Sequence, residues 1–431
     1  MPARRVFRYS ATMLRAAAIS FSHVRSHVLM ACICMSVLIG CTTQNASRPG
    51  FTTSPSTLAL SSAQVEATIN RVAHTLTTQH QLPGLAIAVV YHDQSLIRSF
   101  GVTSLKTKQP VTADTLFEVG SISKTFTALL GAQVVVDGKM RLDDAVSTHM
   151  PALDGSPISR VTLVQLATYS AGGLPLQVPE HVTQQSLIEY LRTWTPSFPA
   201  GTQRVYSNPS IGFFGRVAAT AAHRDFEEMM TTTILPNLGL RDTYLAVPAC
   251  AMPRYAWGHS AELRQVRVNP GVLDDEAYGI KTTASDMCRY MHAQMDADTA
   301  RPLASAIAMT HQGHYAVGPM TQALGWESYA YPASLDALLA GNSREVIFEP
   351  RAAEPLGPTP PTMLYNKTGS TGGFAAYVLF VPSKRIGVAL LANRGYPIAD
   401  RITAAYEILQ SLDPALTHEA NTTTSPASST Q

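Results

Sequence analysis

Lysine is scarce in this chain. There are seven against twenty-five arginines, and only 14% of the 431 residues carry charge. The net charge of +2 is close to balance, and no basic block is interleaved with aromatics, so nucleic acid is not an expected partner. Beyond His23 and His27, which fall in the N-terminal signal stretch, no His-x-x-x-His or His-x-His set is there to complete a zinc site. The isolated "HQGH", His311 to His314, reads as satisfied or exposed histidines, so no metal or other cofactor is expected. There are five cysteines, of which Cys32, Cys34 and Cys41 crowd the N-terminus. Cys250 and Cys288 remain, either as a pair in an oxidising compartment or as two thiols; the sequence leaves both open. No apolar run is long enough for a comfortable membrane span.

One run has another use. "VLMACICMSVLIG", Val28 to Gly40, follows Arg4, Arg5, Arg15 and Arg25 and has the length of a signal-peptide core. Its end, "LIGC", resembles the bacterial lipoprotein processing box, which would make Cys41 the lipidated first residue of the mature chain. The alternative is an ordinary signal peptide cut nearby, with Cys41 incidental. The stretch before Arg25 is long, and Met13 offers a second start. Either form of the signal implies a periplasmic protein; the lipoprotein form adds a membrane anchor.

Hydrophobic residues make up 45% of the chain, enough for one large domain or two. The Ser/Thr/Pro/Gly-rich stretches at 45–57 and 421–430 have nothing to bury and read as tethers. Between them, Ser61 and Gln64 form a capping-box pattern ahead of Val65, Ile69, Val72 and Leu76 at helical spacing. "LAIAVVY", Leu85 to Tyr91, is an apolar run of strand length. Near the other end, "FAAYVLFV" and "IGVALLAN" flank the turn-like "PSKR" as an antiparallel hairpin. A helix with Ile402, Ala405, Tyr406, Leu409 and Leu412 on one face follows. The middle has short helical stretches broken by Pro and Gly. The expected fold is α/β: an antiparallel sheet flanked by helices and built from both ends of the chain, with an inserted, mostly helical domain. The corresponding boundaries are 1–40 for the signal, 41–60 for a linker, 61–137 with 320–413 for the α/β domain, 138–319 for the helical domain, and 414–431 for a flexible tail.

Three short motifs carry chemistry. In "FEVGSISKTF", Ser121 and Lys124 stand three apart at the start of a helical run, so amine and hydroxyl share a face. A serine becomes a good nucleophile when a neighbour takes its proton, and a buried lysine can do so where an arginine cannot. "YSN" holds Tyr206 and Asn208. "KTGS" places Lys367, Thr368, Gly369 and Ser370 at the end of a strand, with alternate side chains pointing one way. There Lys367 offers charge, Thr368 a hydroxyl, and Gly369 room for a substrate along the strand edge. Each motif alone has a bland reading: a capping serine, a packed loop, a Gly-rich turn.

Together and in this order, the motifs resemble the penicillin-recognising serine enzymes. Tyr-x-Asn in the middle, where others carry Ser-Asp-Asn, narrows the resemblance to class C β-lactamases. "QLATYSAGGLPLQ", "LDDEAYGIKTTASDM", "LGWE" and "LLANRGYP" extend it over about 65–412. The resemblance implies that Ser121 is acylated, that Lys124 handles its proton, and that Tyr206 is the general base, with Lys367 beside it. Gln177 and Asn208 would hold the substrate's amide side chain, and Tyr278 would line the side-chain pocket. Lys367 and Thr368 would face the carboxylate, its recognition leaning on Thr368 and Arg401. The backbone N–H groups of Ser121 and Ser370 would form the oxyanion hole. One departure is Ile398, where many relatives carry an asparagine; another is Asn366, where histidine is frequent. The implied reaction is hydrolysis of cephalosporins and penicillins by a monomer. A D-Ala-D-Ala carboxypeptidase or esterase of the same fold is the alternative, as is a penicillin-binding receptor acylated once without turnover.

Overall fold

The computed structural model describes residues 62–356 and 361–416. The signal run, Cys41, the first tether, Ser61 of the capping-box pattern and the tail from 417 lie outside the described residues.

Nine strands form one antiparallel sheet among the described residues. In chain order they are β1 (Gly84–Tyr91), β2 (Gln94–Gly101), β3 (Gly313–Val317), β4 (Met320–Ala323), β5 (Glu327–Ala330), β6 (Glu354–Pro355), β7 (Met363–Ser370), β8 (Ala375–Val381) and β9 (Ile386–Ala392). Their spatial order is β6-β3-β4-β5-β7-β8-β9-β1-β2, so the first hairpin completes a sheet otherwise made from the C-terminal part. β1 pairs with β9 from Leu85 opposite Ala392 to Tyr91 opposite Ile386. β3 lies within the span expected to be helical, so the sheet takes up the chain slightly earlier than expected.

Strands β1, β8 and β9 are apolar throughout because both faces of the sheet are covered there. Leu85, Ile87 and Val89 face the helices α1 (Ser62–Gln79) and α6 (Ile398–Leu412), together with Leu379, Val388 and Leu390. Val65, Ile69, Val72 and Leu76 of α1 and Ile402, Ala405 and Leu409 of α6 complete that layer. Their alternates, Ala86, Ala88, Val90, Val378, Phe380 and Leu391, face the other way. There they meet α4 (Ala284–Met295) and share one core with α2 (Ser123–Val136), which packs against α3 (Asn208–Ala222) and α5 (Ala304–His311). Each fully buried Leu, Ile or Val stabilises the layers by roughly 1.5–3 kcal/mol. The β8–β9 hairpin turns through Pro382–Lys384, with Arg385 left-handed at φ 53°.

Cys250 is exposed and Cys288 buried, and both are free thiols. Burial pushes the Cys288 thiol up to about 11. His311 is half-buried and stacks on the Tyr365 ring, with its Nε2 3.0 Å from Gln294 Oε1. Leu416, expected in the tail, is buried.

Candidate active site

The nucleophile turn is made by the sequence just before α2. Phe117–Glu118 pairs with Lys281–Thr282, and a single 3-10 turn, Gly120–Ile122, then delivers Ser121 to the start of the helix. One helical turn later, Lys124 comes back under the serine. Its Nζ donates to Ser121 Oγ at 2.9 Å and to the Ala277 carbonyl at 2.7 Å. Tyr206 precedes α3, whose N-cap Ser207 accepts from the Ser210 N–H; Asn208 is the first helical residue. Lys367 to Ser370 close β7.

These parts converge on a cavity of about 450 Å³. Ser121, Gln177, Tyr206, Asn208, Tyr278 and Lys367 to Ser370 all line it, as does Ile398. Lys124 sits behind the serine, fully buried. The Lys124 and Lys367 amines lie 5.3 Å and 5.0 Å from the centre of the Tyr206 ring. Burial pushes the Tyr206 phenol up, but the charges of Lys124 and Lys367 outweigh it and hold the phenol below its ordinary value. Burial, aided by Lys367, brings Lys124 down to about 8. Lys367 behaves oppositely: burial lowers it, but the Glu327 carboxylate, 3.1 Å from its amine, and Tyr206 leave it raised. Asn208 Oδ1 is buried in the site with no partner among the described residues. A buried acceptor left this way costs about 1–3 kcal/mol, which a ligand N–H would recover.

Two expected roles change. Arg401 does not line the cavity. Its guanidinium is buried and donates to the Tyr396 and Gly369 carbonyls and to Ser370 Oγ, so it braces the end of β7 and has no arm toward a substrate carboxylate. Gly369 leaves no spare room at its side-chain position, because a Cβ there would sit 1.9 Å from the Val119 carbonyl oxygen. The glycine instead lets β7 press against the nucleophile turn. Two residues escaped the sequence reading. Glu327, in the "LGWE" segment, and Arg204, two residues before Tyr206, are both buried. The Arg204 guanidinium lies 3.3 Å from Glu327 Oε1 and 5.3 Å from the Tyr206 ring centre. The signal was a charge inside or beside a motif segment.

A serine and lysine in contact, a phenol between two ammonium groups and a strand ending in Lys-Thr-Gly define a serine acyl-transfer enzyme. The Beta-lactamase family model matches residues 69–413, and the chain belongs to that family. A beta-lactamase of Pseudomonas fluorescens is 46% identical over 354 residues, covering 81% of this chain and 99% of the relative. Among solved structures, a class C beta-lactamase in complex with cefoxitin is 40% identical with a TM-score of 0.79, covering 81% of this chain and 99% of that one. The D-alanine carboxypeptidase AmpC of Burkholderia cenocepacia is 42% identical with a TM-score of 0.77 and the same coverage. Within the family the chain is of the class C type.

Proposed function

We propose that the protein hydrolyses the β-lactam amide of cephalosporins and penicillins through an acyl-enzyme on Ser121. The observation that carries this is the Ser121–Lys124 contact at 2.9 Å beside a phenol kept acidic by two amines. Ser121 Oγ attacks the ring carbonyl, and its proton passes to the Tyr206–Lys124 pair. The C–N bond breaks, and the ring nitrogen takes up that proton. Water, giving a proton to Tyr206, then attacks the ester. As the C–O bond breaks, Tyr206 passes that proton to Ser121 Oγ, releasing the product acid and restoring the serine hydroxyl. The N–H groups of Ser121 and Ser370 receive the charge on the carbonyl oxygen; losing one such donor typically reduces the rate by about 10²–10³. Asn208 and Gln177 hold the acyl amide, and Lys367 with Thr368 faces the carboxylate.

The test is sustained turnover of a chromogenic cephalosporin by the purified protein over many equivalents, absent in Ser121→Ala. A single-equivalent burst would instead support a receptor that is only acylated. The likeness to the Burkholderia carboxypeptidase supports a second reading with the same machinery. Release of D-alanine from a D-Ala-D-Ala peptide, without β-lactam turnover, would favour it. The apolar run before Cys41 supports delivery to the periplasm and lipid anchoring. Mass spectrometry of the mature N-terminus tests both, and sedimentation tests the monomer.

A further inference from the structure

The two N–H groups proposed for the oxyanion hole lie on separate elements, and their spacing must be set by something. The nucleophile turn and the end of β7 meet backbone to backbone: a Cβ on Gly120 would lie 2.5 Å from Ser370 N. Such contact stops the elements from approaching but does not stop them from parting. Glu118, two residues before Gly120 and 1% exposed, lies across the join. Its Oε2 accepts from the Thr371 hydroxyl at 2.5 Å, one residue after Ser370. Its Oε1 accepts from the Tyr255 hydroxyl at 2.6 Å and the Val268 N–H at 2.8 Å. One buried carboxylate thus joins the nucleophile strand, the turn after β7, and a segment that lines the cavity through Val268. From the other side, Arg401 donates to the Gly369 carbonyl and Ser370 Oγ.

We propose that Glu118 is a positioning residue that, through Thr371, holds Ser370 N–H in register with Ser121 N–H. Charge-assisted hydrogen bonds are the strong kind, and a short O–H···O⁻ contact tolerates little opening. This rests on the acyl-transfer reading of Ser121, but the test need not use a β-lactam. A fluorophosphonate probe forms an Oγ–P bond on Ser121 and breaks the P–F bond, with fluoride and the serine proton leaving. Its phosphoryl oxygen needs the same two donors.

Labelling would be followed by intact mass over a range of probe concentrations for wild type, Thr371→Val, Thr371→Ser and Glu118→Gln, with unfolding midpoints for each. Thr371→Val removes the hydroxyl at constant shape. Its maximal labelling rate should fall about tenfold to a hundredfold, the usual effect of a misplaced donor, while half-saturation stays put. Thr371→Ser, which keeps the hydroxyl, should label within about threefold of wild type. Glu118→Gln keeps an acceptor for Tyr255 and Val268, and should fall between the two. Labelling of Thr371→Val at the wild-type rate, or Thr371→Ser as slow as Thr371→Val, would overturn the proposal. Wild type that labels at Ser121 yet opens no β-lactam would sink the proposed substrate class and leave this test intact. Wild type that does not label at all would overturn both.

Discussion

The site holds one phenol between two lysines that sit at nearly equal distance and are equally buried, yet their amines are driven in opposite directions. Lys124, at the helix side, has a serine hydroxyl and a carbonyl for company and comes down to about 8. Lys367, at the strand side, has the Glu327 carboxylate at 3.1 Å and is raised. Burial penalises both charges. The carboxylate is the difference. It makes Lys367 a fixed positive charge, suited to holding an anion, and its absence leaves Lys124 able to give up a proton near neutral pH. Residue type alone therefore does not assign the two roles; the neighbour that β5 supplies does.

The largest effect that could break this contrast is on acylation. Lys124→Arg keeps a positive charge beside Ser121 but cannot release its proton. Acylation by a chromogenic cephalosporin, followed by stopped flow, should fall by about 10³ or more, in the range of lost acid–base catalysis, with the far-ultraviolet spectrum unchanged. An arginine variant within tenfold of wild type would mean that charge alone suffices there. The next effect is on stability. Lys367→Met leaves Glu327 facing only the Arg204 guanidinium at 3.3 Å. The chemical unfolding midpoint should drop by the equivalent of about 3 kcal/mol, at the low end for breaking a buried pair because Arg204 remains. An unchanged midpoint would show that Lys367 adds nothing to the balance of charge around Glu327.

Much of this arrangement was legible in the sequence, for definite reasons. The strand runs of β1, β8 and β9 and the α6 face follow apolar periodicity. The site motifs are legible because Ser-x-x-Lys, Tyr-x-Asn and Lys-Thr-Gly bring chemistry that a core or a surface does not need in that order. The remainder depends on what lies next to what. Glu327 acquires its meaning from standing opposite Asn366 in the β5–β7 register, beside Lys367, a pairing that no local spacing encodes. Arg401 matched by position, yet its bonds turn inward because the Tyr396 and Gly369 carbonyls are within reach. Gly369 was read by the space a glycine leaves, whereas the Val119 carbonyl already fills it. Glu118 lies inside the quoted nucleophile motif, but its three partners come from segments more than a hundred residues away.

The smallest effect has the opposite sign and so sharpens the contrast most. A lysine whose folded-state value is lowered from 10.5 to about 8 pays for its charge in the folded protein. The shift corresponds to about 3 kcal/mol, one pKa unit being about 1.4. Lys124→Met removes that penalty, leaves the Ala277 carbonyl without this donor, and should therefore stabilise the protein by about 2 kcal/mol near pH 7 while abolishing acylation. The same linkage fixes the pH dependence. Between about pH 8 and the ordinary value of 10.5, the unfolded chain holds the Lys124 proton more tightly than the folded one, so wild-type stability gains as pH rises. The advantage of Lys124→Met should shrink across that window. The deficit of Lys367→Met should hold steady there, because the raised Lys367 keeps its proton and its contribution is lost only above the unfolded value. Unfolding midpoints of the three proteins from pH 7 to 10 check this. Parallel curves for wild type and Lys124→Met would mean that Lys124 titrates as an ordinary lysine, and the proton-sharing role would fall with it.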